Sequence, residues 1–291
     1  MSYAANKQDL RKKIAEIKEL PSMPTISNKL VTLRDDPDAG IDDLSNIIKL
    51  DPALSSKLVH YAASPFFGYS KGIESIENAV SQVLGFDKAL NMALAMDTSQ
   101  SFDVPLEGPI GLKAVWRQAL FSAHLMQSLS EKLPPANATK PGMVYMVGLL
   151  HNIGFLLLGH LFKEEFQLLN KLAKENPKIS IVDLETRALG MSHTDLGVWL
   201  MREWSMPAEL TTAVFEHHNP FYKGQHFVYA NLALIANRLL CRHDIGDEKD
   251  PNPPSQMLQS LGLKEKQLDD VLENLMDGKD ELETMIQELH S

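Results

Sequence analysis

Histidine is the residue type in this chain with the most chemistry to offer, and four of its ten copies stand where helical stretches could bring them together. They are His151, His193 and the adjacent pair His217-His218. Neutral imidazole is the commonest metal ligand and a proton carrier near neutral pH. Several imidazoles with a carboxylate can hold a metal that lowers the pKa of a bound water. His151 lies in V-G-L-L-H-N-I-G-F-L-L-L-G-H (147–160), the longest strongly apolar segment. An aspartate at 152 would supply the carboxylate a hydrolytic metal needs. The chain has Asn152, a neutral amide. The sequence by itself does not show that the histidines meet.

The elements that must position them read as helices throughout. Leu10, Ile14 and Ile17 predict an amphipathic helix over 8–19, broken by L-P-S-M-P at 20–24. Ile26, Leu30 and Leu33, then Ile41, Leu44, Ile47 and Ile48, give two further apolar stripes. Asp51-Pro52 combines a good N-cap with a good first helical residue, so a helix should start there. Ser75 can cap another over 76–84, ended by Gly85. Residues 112–133 read as one long helix, and the apolar segment as a single helix running to about Gly159. Shorter helices follow over 162–176, 180–189 with Ser180 as cap, 190–204, from Pro207, and over 227–242. Residues 243–254 are polar and Pro-rich, predicting a linker or exposed loop. Two amphipathic stripes, Leu268 to Leu275 and Leu282 to Leu289, close the chain. The expected fold class is therefore all-α, with no repeat at a fixed period.

Composition narrows the function classes. The 291 residues are 44% hydrophobic, enough for an ordinary core. A net charge of −10 repels phosphate backbones, and no helix of the first hundred residues carries a face rich in Arg, Lys, Asn and Gln, so no nucleic-acid partner is expected. Cys241 is the one cysteine, so no internal disulfide can form, and a reducing cytoplasm is the simplest compartment. The first residues carry charge but no apolar run of a signal peptide. Residues 143–162 have no formally charged side chain and, at 20 residues, could span a bilayer. His151, Asn152 and His160 would then sit in hydrocarbon at high cost. A helix buried in a protein core accounts for them better, and no membrane partner is expected.

Seven segments occur in an order that resembles one family. They are L-P-S-M-P (20–24), D-P-A-L-S-S-K-L (51–58), A-S-P-F-F-G-Y (63–69), I-E-S-I-E-N-A-V-S-Q-V-L-G (73–85), G-L-L-H-N-I-G (148–154), S-H-T-D-L-G-V-W-L (192–200) and H-H-N-P (217–220). Together they resemble the HDOD domain, the HD-related output domain of bacterial signalling proteins, over residues 20–220. The resemblance implies two helical sub-bundles, 20–100 and an HD-superfamily-like part over 101–220. The helix over 1–19 precedes them, and C-terminal helices over 221–291 are expected to pack on the domain.

HD-superfamily phosphohydrolases, including those that hydrolyse cyclic dinucleotides, use a His, a His-Asp pair, further histidines and a last Asp. The resemblance places Gln118 at the first His, Asn152 at the Asp of the pair and Asn237 at the last Asp, while His151, His193, His217 and His218 match histidine positions. His124 lies on the helix of Gln118 but more than one and a half turns away, facing elsewhere. Amides offer neither charge nor a good bridge to hard divalent cations. No catalytic residue and no resident cofactor is therefore expected, although the four histidines are candidates for one divalent transition metal. The expected function is a non-catalytic signalling module that binds a protein partner, with the aromatic loop Phe66, Phe67, Tyr69 as a candidate interaction patch. Two alternatives stay open: a metal-dependent phosphohydrolase acting on a nucleotide or cyclic dinucleotide, and a pocket that senses a nucleotide-like ligand without chemistry.

Overall fold

Caps and apolar spacing set most of the helices. In a computed structural model that describes residues 13, 14, 17, 20–69, 72–140 and 142–289, those helices are the only regular elements; no strand occurs among the described residues. The helix expected over 8–19 falls outside the described residues except at 13, 14 and 17. The chain is all-α and divides into two compact units.

One unit is formed by Met23–Ser101 together with the chain from Leu275. It holds α1 (Thr25–Arg34), α2 (Ile41–Ile48), α3 (Pro52–Ala62), a 3-10 turn (Pro65–Phe67), α4 (Ile76–Asn78), a π-helix (Ala79–Leu84), α5 (Phe86–Ser99) and, at the C-terminal end, α16 (Lys279–Leu289). Asp51 caps α3 by accepting from the Ala53 and Leu54 amides, and Ser75 caps α4 by accepting from Asn78. The stripe over 76–84 winds largely as a π-helix rather than the expected α-helix, and Gly85 ends it at φ 74°. Every residue from Ala89 to Thr98 on α5 is buried, so α5 is the axis of this unit. Asp97 on α5 fixes α1 by accepting from the Ser27 backbone amide (2.8 Å) and hydroxyl (2.5 Å).

The other unit contains Phe102–Asn274 and the described residues before Met23. Its elements are α6 (Leu112–Ser130), α7 (Met143–Leu150), α8 (Ile153–Leu161), α9 (Lys163–Glu175), α10 (Ile181–Ala188), α11 (His193–Glu203), α12 (Ala208–Glu216), α13 (Phe227–Cys241) and α14 (Ser255–Leu261). The helix α15 (Glu265–Asp277) begins in it. Here α6 packs on α7 and α13, and α11 packs on α8 and α12.

The apolar segment is long and apolar enough to cross a membrane, and 89% of it is buried inside this unit. It is not one helix, as expected, but two, parted at Asn152 with φ −100° and ψ 16°. The break has a local cause. His151 turns its ring Nδ1 back onto the Gly148 carbonyl at 2.9 Å, and Phe155 bonds the Asn152 carbonyl in a tightened turn. Just beyond, a Cβ on Gly154 would lie 1.8 Å from the His193 carbonyl oxygen. Only glycine lets α8 approach the first turn of α11 so closely.

Candidate functional site

Five elements of the second unit deliver polar side chains to one place. His151 and Asn152 occupy the turn between α7 and α8, and His193 is the first residue of α11. A capping box holds that end of α11: Ser192 accepts from the Asp195 amide, and Asp195 accepts from the Ser192 amide at 2.8 Å. His217 and His218 follow the last turn of α12. Gln118 projects from α6, and Asp247 arrives on the loop after α13.

The arrangement of His193 is the most constrained. Its Nδ1 meets Glu185 Oε2 at 2.9 Å, its backbone amide donates to Glu185 Oε1 at 3.0 Å, and its ring stacks on Phe155 with centroids 4.0 Å apart. Both Glu185 and His193 side chains are fully buried. His217 donates from Nδ1 to the Val214 carbonyl at 2.9 Å, and its Nε2 lies 3.3 Å from His193 Nε2. His218 pairs through Nδ1 with Glu248 (2.9 Å) and through Nε2 with Asp247 (3.2 Å). The donor atoms of His193, His217, His218 and Asp247 all lie within 4.8 Å of one another, a set that could hold a metal.

Charge in this cluster is sharply partitioned. Burial pushes His151 down to about 4 and His217 well below the ordinary imidazole value, so both rings are neutral at pH 7. Burial also opposes charge on His218, but the Asp247 carboxylate and hydrogen bonds to Asp247 and Glu248 outweigh it, raising His218 to about 10. Burial alone would raise Asp247; the charge and hydrogen bond of His218 instead hold it well below the usual carboxylate range.

The structure places the remaining sequence candidates as follows. The Gln118 amide donates to Asp247 Oδ1 at 2.7 Å, and the Asn152 amide approaches Oδ2 at 3.5 Å. Asn237, on α13, accepts from Ser122 at 3.3 Å and leaves its Nδ2 without a partner. His151 Nε2 and Asn152 Oδ1 are likewise buried without a hydrogen-bond partner. His124 contacts Tyr145 at 3.4 Å instead of joining the cluster. Phe66 and Phe67 are half-buried in the first unit, where Phe67 meets Tyr61 edge-on at 5.2 Å and the Lys88 ammonium lies 5.6 Å from its ring. The half-buried Tyr69 hydroxyl donates to Gln82.

Two residues at the heart of the site were not singled out from sequence. Glu185 carried a signal: it shares the buried face of α10 with Ile181, Leu184 and Ala188, an improbable place for a charge without a partner. Asp247 carried almost none. The stretch 243–254, expected as a linker or exposed loop, folds back instead: Ile245 is 1% and Asp247 7% exposed. Arg238 and Arg242 hold the loop by donating to the Asn252 (2.6 Å) and Pro251 (3.1 Å) carbonyls. Gly246, at φ 95°, lets the backbone pass Gln118 where a Cβ would come within 2.8 Å of the amide. Beside this loop a cavity of about 240 Å³ is lined by Ile110, Val115, Arg117, Gln118, Phe155 and Asp247, among others.

Comparison with known proteins agrees with the fold and with the family resemblance. A signal transduction protein, so proposed, from Marinobacter aquaeolei VT8 superposes with a TM-score of 0.88 at 28% identity, over 99% of this chain and 66% of that one. An HDOD domain protein of unknown function from Geobacter sulfurreducens superposes at 0.77 with 23% identity, over 98% of both chains, and shows the shared fold. An uncharacterized protein of Treponema pallidum is 25% identical over 205 residues, 70% of this chain but 38% of that protein. This chain therefore spans well under half of that relative and just under two thirds of the Marinobacter protein. The family model for the HDOD domain matches residues 20–220, and the chain belongs to the HDOD domain family.

Proposed function

We propose that this chain is a regulatory module that acts by binding rather than by hydrolysing a phosphoester, in the cytoplasm and with a signalling protein as its partner. One observation carries the reading. Gln118 and Asn152, which the family resemblance sets at metal-ligand positions of HD-superfamily enzymes, turn their amide groups onto Asp247. A carboxylate supplied by the chain itself thus engages the polar groups of the site. The likeness to a proposed signal transduction protein at 28% identity supports a signalling context. The lone cysteine, Cys241, fits a reducing compartment.

The test is turnover. Purified protein is assayed with a chromogenic phosphodiester and with cyclic dinucleotides in Mn, Fe, Ni and Mg. No metal-dependent hydrolysis is expected in any of them. Turnover that disappears in His151→Ala would overturn the proposal in favour of a metal-dependent phosphohydrolase.

A second reading, a ligand-sensing pocket, draws support from the cavity beside Gln118 and Asp247. Its volume of about 240 Å³ falls just short of the roughly 300–1,000 Å³ of ordinary ligand pockets. It suits a small polar molecule rather than a cyclic dinucleotide. Thermal stabilisation by a mononucleotide, absent in Gln118→Ala, would favour this reading.

A further inference from the structure

The outer hydrogen bonds of the three clustered imidazoles leave their Nε2 atoms gathered with Asp247 within 4.8 Å of one another. A carbonyl oxygen only accepts, so His217 Nδ1, 2.9 Å from Val214 O, must carry its proton. Glu185 Oε2 is the acceptor for His193 Nδ1, and Glu248 Oε1 for His218 Nδ1. Each ring therefore directs Nε2 inward. The His193 and His217 Nε2 atoms lie 3.3 Å apart, close enough to share one proton or one metal ion. Asp247 Oδ2 stands 3.2 Å from His218 Nε2 and 3.9 Å from His193 Nε2. Ligands at about 2.0–2.1 Å around a tetrahedral ion lie roughly 3.4 Å from one another, close to these separations.

The surroundings fit as well. Metal-binding histidines donate their other ring N–H to a carboxylate or carbonyl, which fixes the tautomer and the aim of the ring. All three imidazoles here have that arrangement. Three imidazole nitrogens and one carboxylate oxygen suit a borderline transition ion and not Mg or Ca, which prefer oxygen. His151 Nε2 is buried without a partner, and its ring lies edge-on to that of His217 with centroids 5.0 Å apart.

We propose that His193, His217 and His218 through Nε2, and Asp247 through Oδ2, bind one divalent transition-metal ion of the zinc class. The ion fastens the loop over 243–254 to the start of α11 and the end of α12. This differs from the ligand set that the family resemblance implies. The anionic ligand does not come from position 152 or 237, both amides, but from a loop beyond the matched residues 20–220. The inference does not depend on the absence of hydrolysis, and the experiment below makes no use of turnover.

The full chain, freed of any affinity tag and of metal, is titrated with Zn and with Co(II). Metal content, the visible absorption of the cobalt form and protease cleavage within 243–254 are read for wild type, Asp247→Asn, Asp247→Cys and His124→Gln. Circular dichroism confirms folding of each. Wild type and His124→Gln should bind about one equivalent, with the intense bands of four-coordinate cobalt and a metal-protected loop. Asp247→Asn should bind at least tenfold more weakly and lose loop protection. Asp247→Cys restores an anionic ligand and should show a thiolate-to-cobalt charge-transfer band. Less than a tenth of an equivalent in folded wild type would overturn the proposal. So would Asp247→Asn binding within tenfold of wild type, or Asp247→Cys binding cobalt without the thiolate band.

Discussion

Glu185 is a buried carboxylate with both oxygens engaged by one residue, the backbone amide and ring Nδ1 of His193. Removing it leaves two buried donors unsatisfied, each at about 1–3 kcal/mol. Glu185→Ala is therefore expected to lower the unfolding free energy by at least about 2 kcal/mol, measured from the urea midpoint. Glu185→Gln, which keeps one acceptor, should lose less. The titrating histidines add a pH dependence to the metal-free protein. His218 is raised to about 10 in the folded state, so its stabilisation is complete below about pH 6.5 and is lost as pH rises towards 10. His151 is depressed to about 4, so its contribution is complete above about pH 6.5 and is lost as pH falls towards 4. The urea midpoint should accordingly peak near neutrality and fall on both sides. His218→Gln should flatten the alkaline limb, and an unchanged limb would contradict the assignment.

Helix termini and crossings bring these residues together. A methyl on Gly154 would collide with the His193 carbonyl at 1.8 Å, forcing α8 away from α11. Gly154→Ala should cost about 1–3 kcal/mol by overpacking. Gly72→Ala, at a position with open space around it, should lie within about 0.5 kcal/mol of wild type in the same urea titration. At this scale the sequence was readable wherever the signal was local. Asp51-Pro52, Ser75 and Ser180 mark helix starts because a cap acts on amides two or three residues away. The break at Asn152 was not readable, because 3.6-residue spacing continues through it and the bend depends on a side chain turning back onto its own helix. The histidines were identifiable by resemblance to a family, but not their meeting, which needs α7, α11 and α12 to pack. Asp247 was hidden for a related reason. Its partners Gln118 and His218 are 129 and 29 residues away, and polar composition describes a loop by its average rather than by its one buried carboxylate.

The two units differ in what closes them. The unit holding the histidines is built mainly from the run Phe102–Asn274, with its site completed by a loop late in that run. The other is assembled from Met23–Ser101 and the segment from Leu275, so its last helix, α16, arrives from the far end of the sequence. There α16 packs on α3 and on the 3-10 turn, burying Leu282, Met285 and Ile286 to 4% exposure or less. A Cβ on Gly278 would lie 2.9 Å from the Phe66 ring, so the turn before α16 is shaped to that aromatic. Each of the three buried side chains stabilises by roughly 1.5–3 kcal/mol, a large share of the roughly 5–15 kcal/mol typical of a whole domain. Deleting 275–291 should therefore loosen α3 and the Phe66-Phe67 turn, read as faster amide exchange there. Exchange at α11 and α12 should change much less, because the side chains removed belong to the other unit. Equal loosening of α3 and α11 would show instead that the two units unfold as one cooperative body.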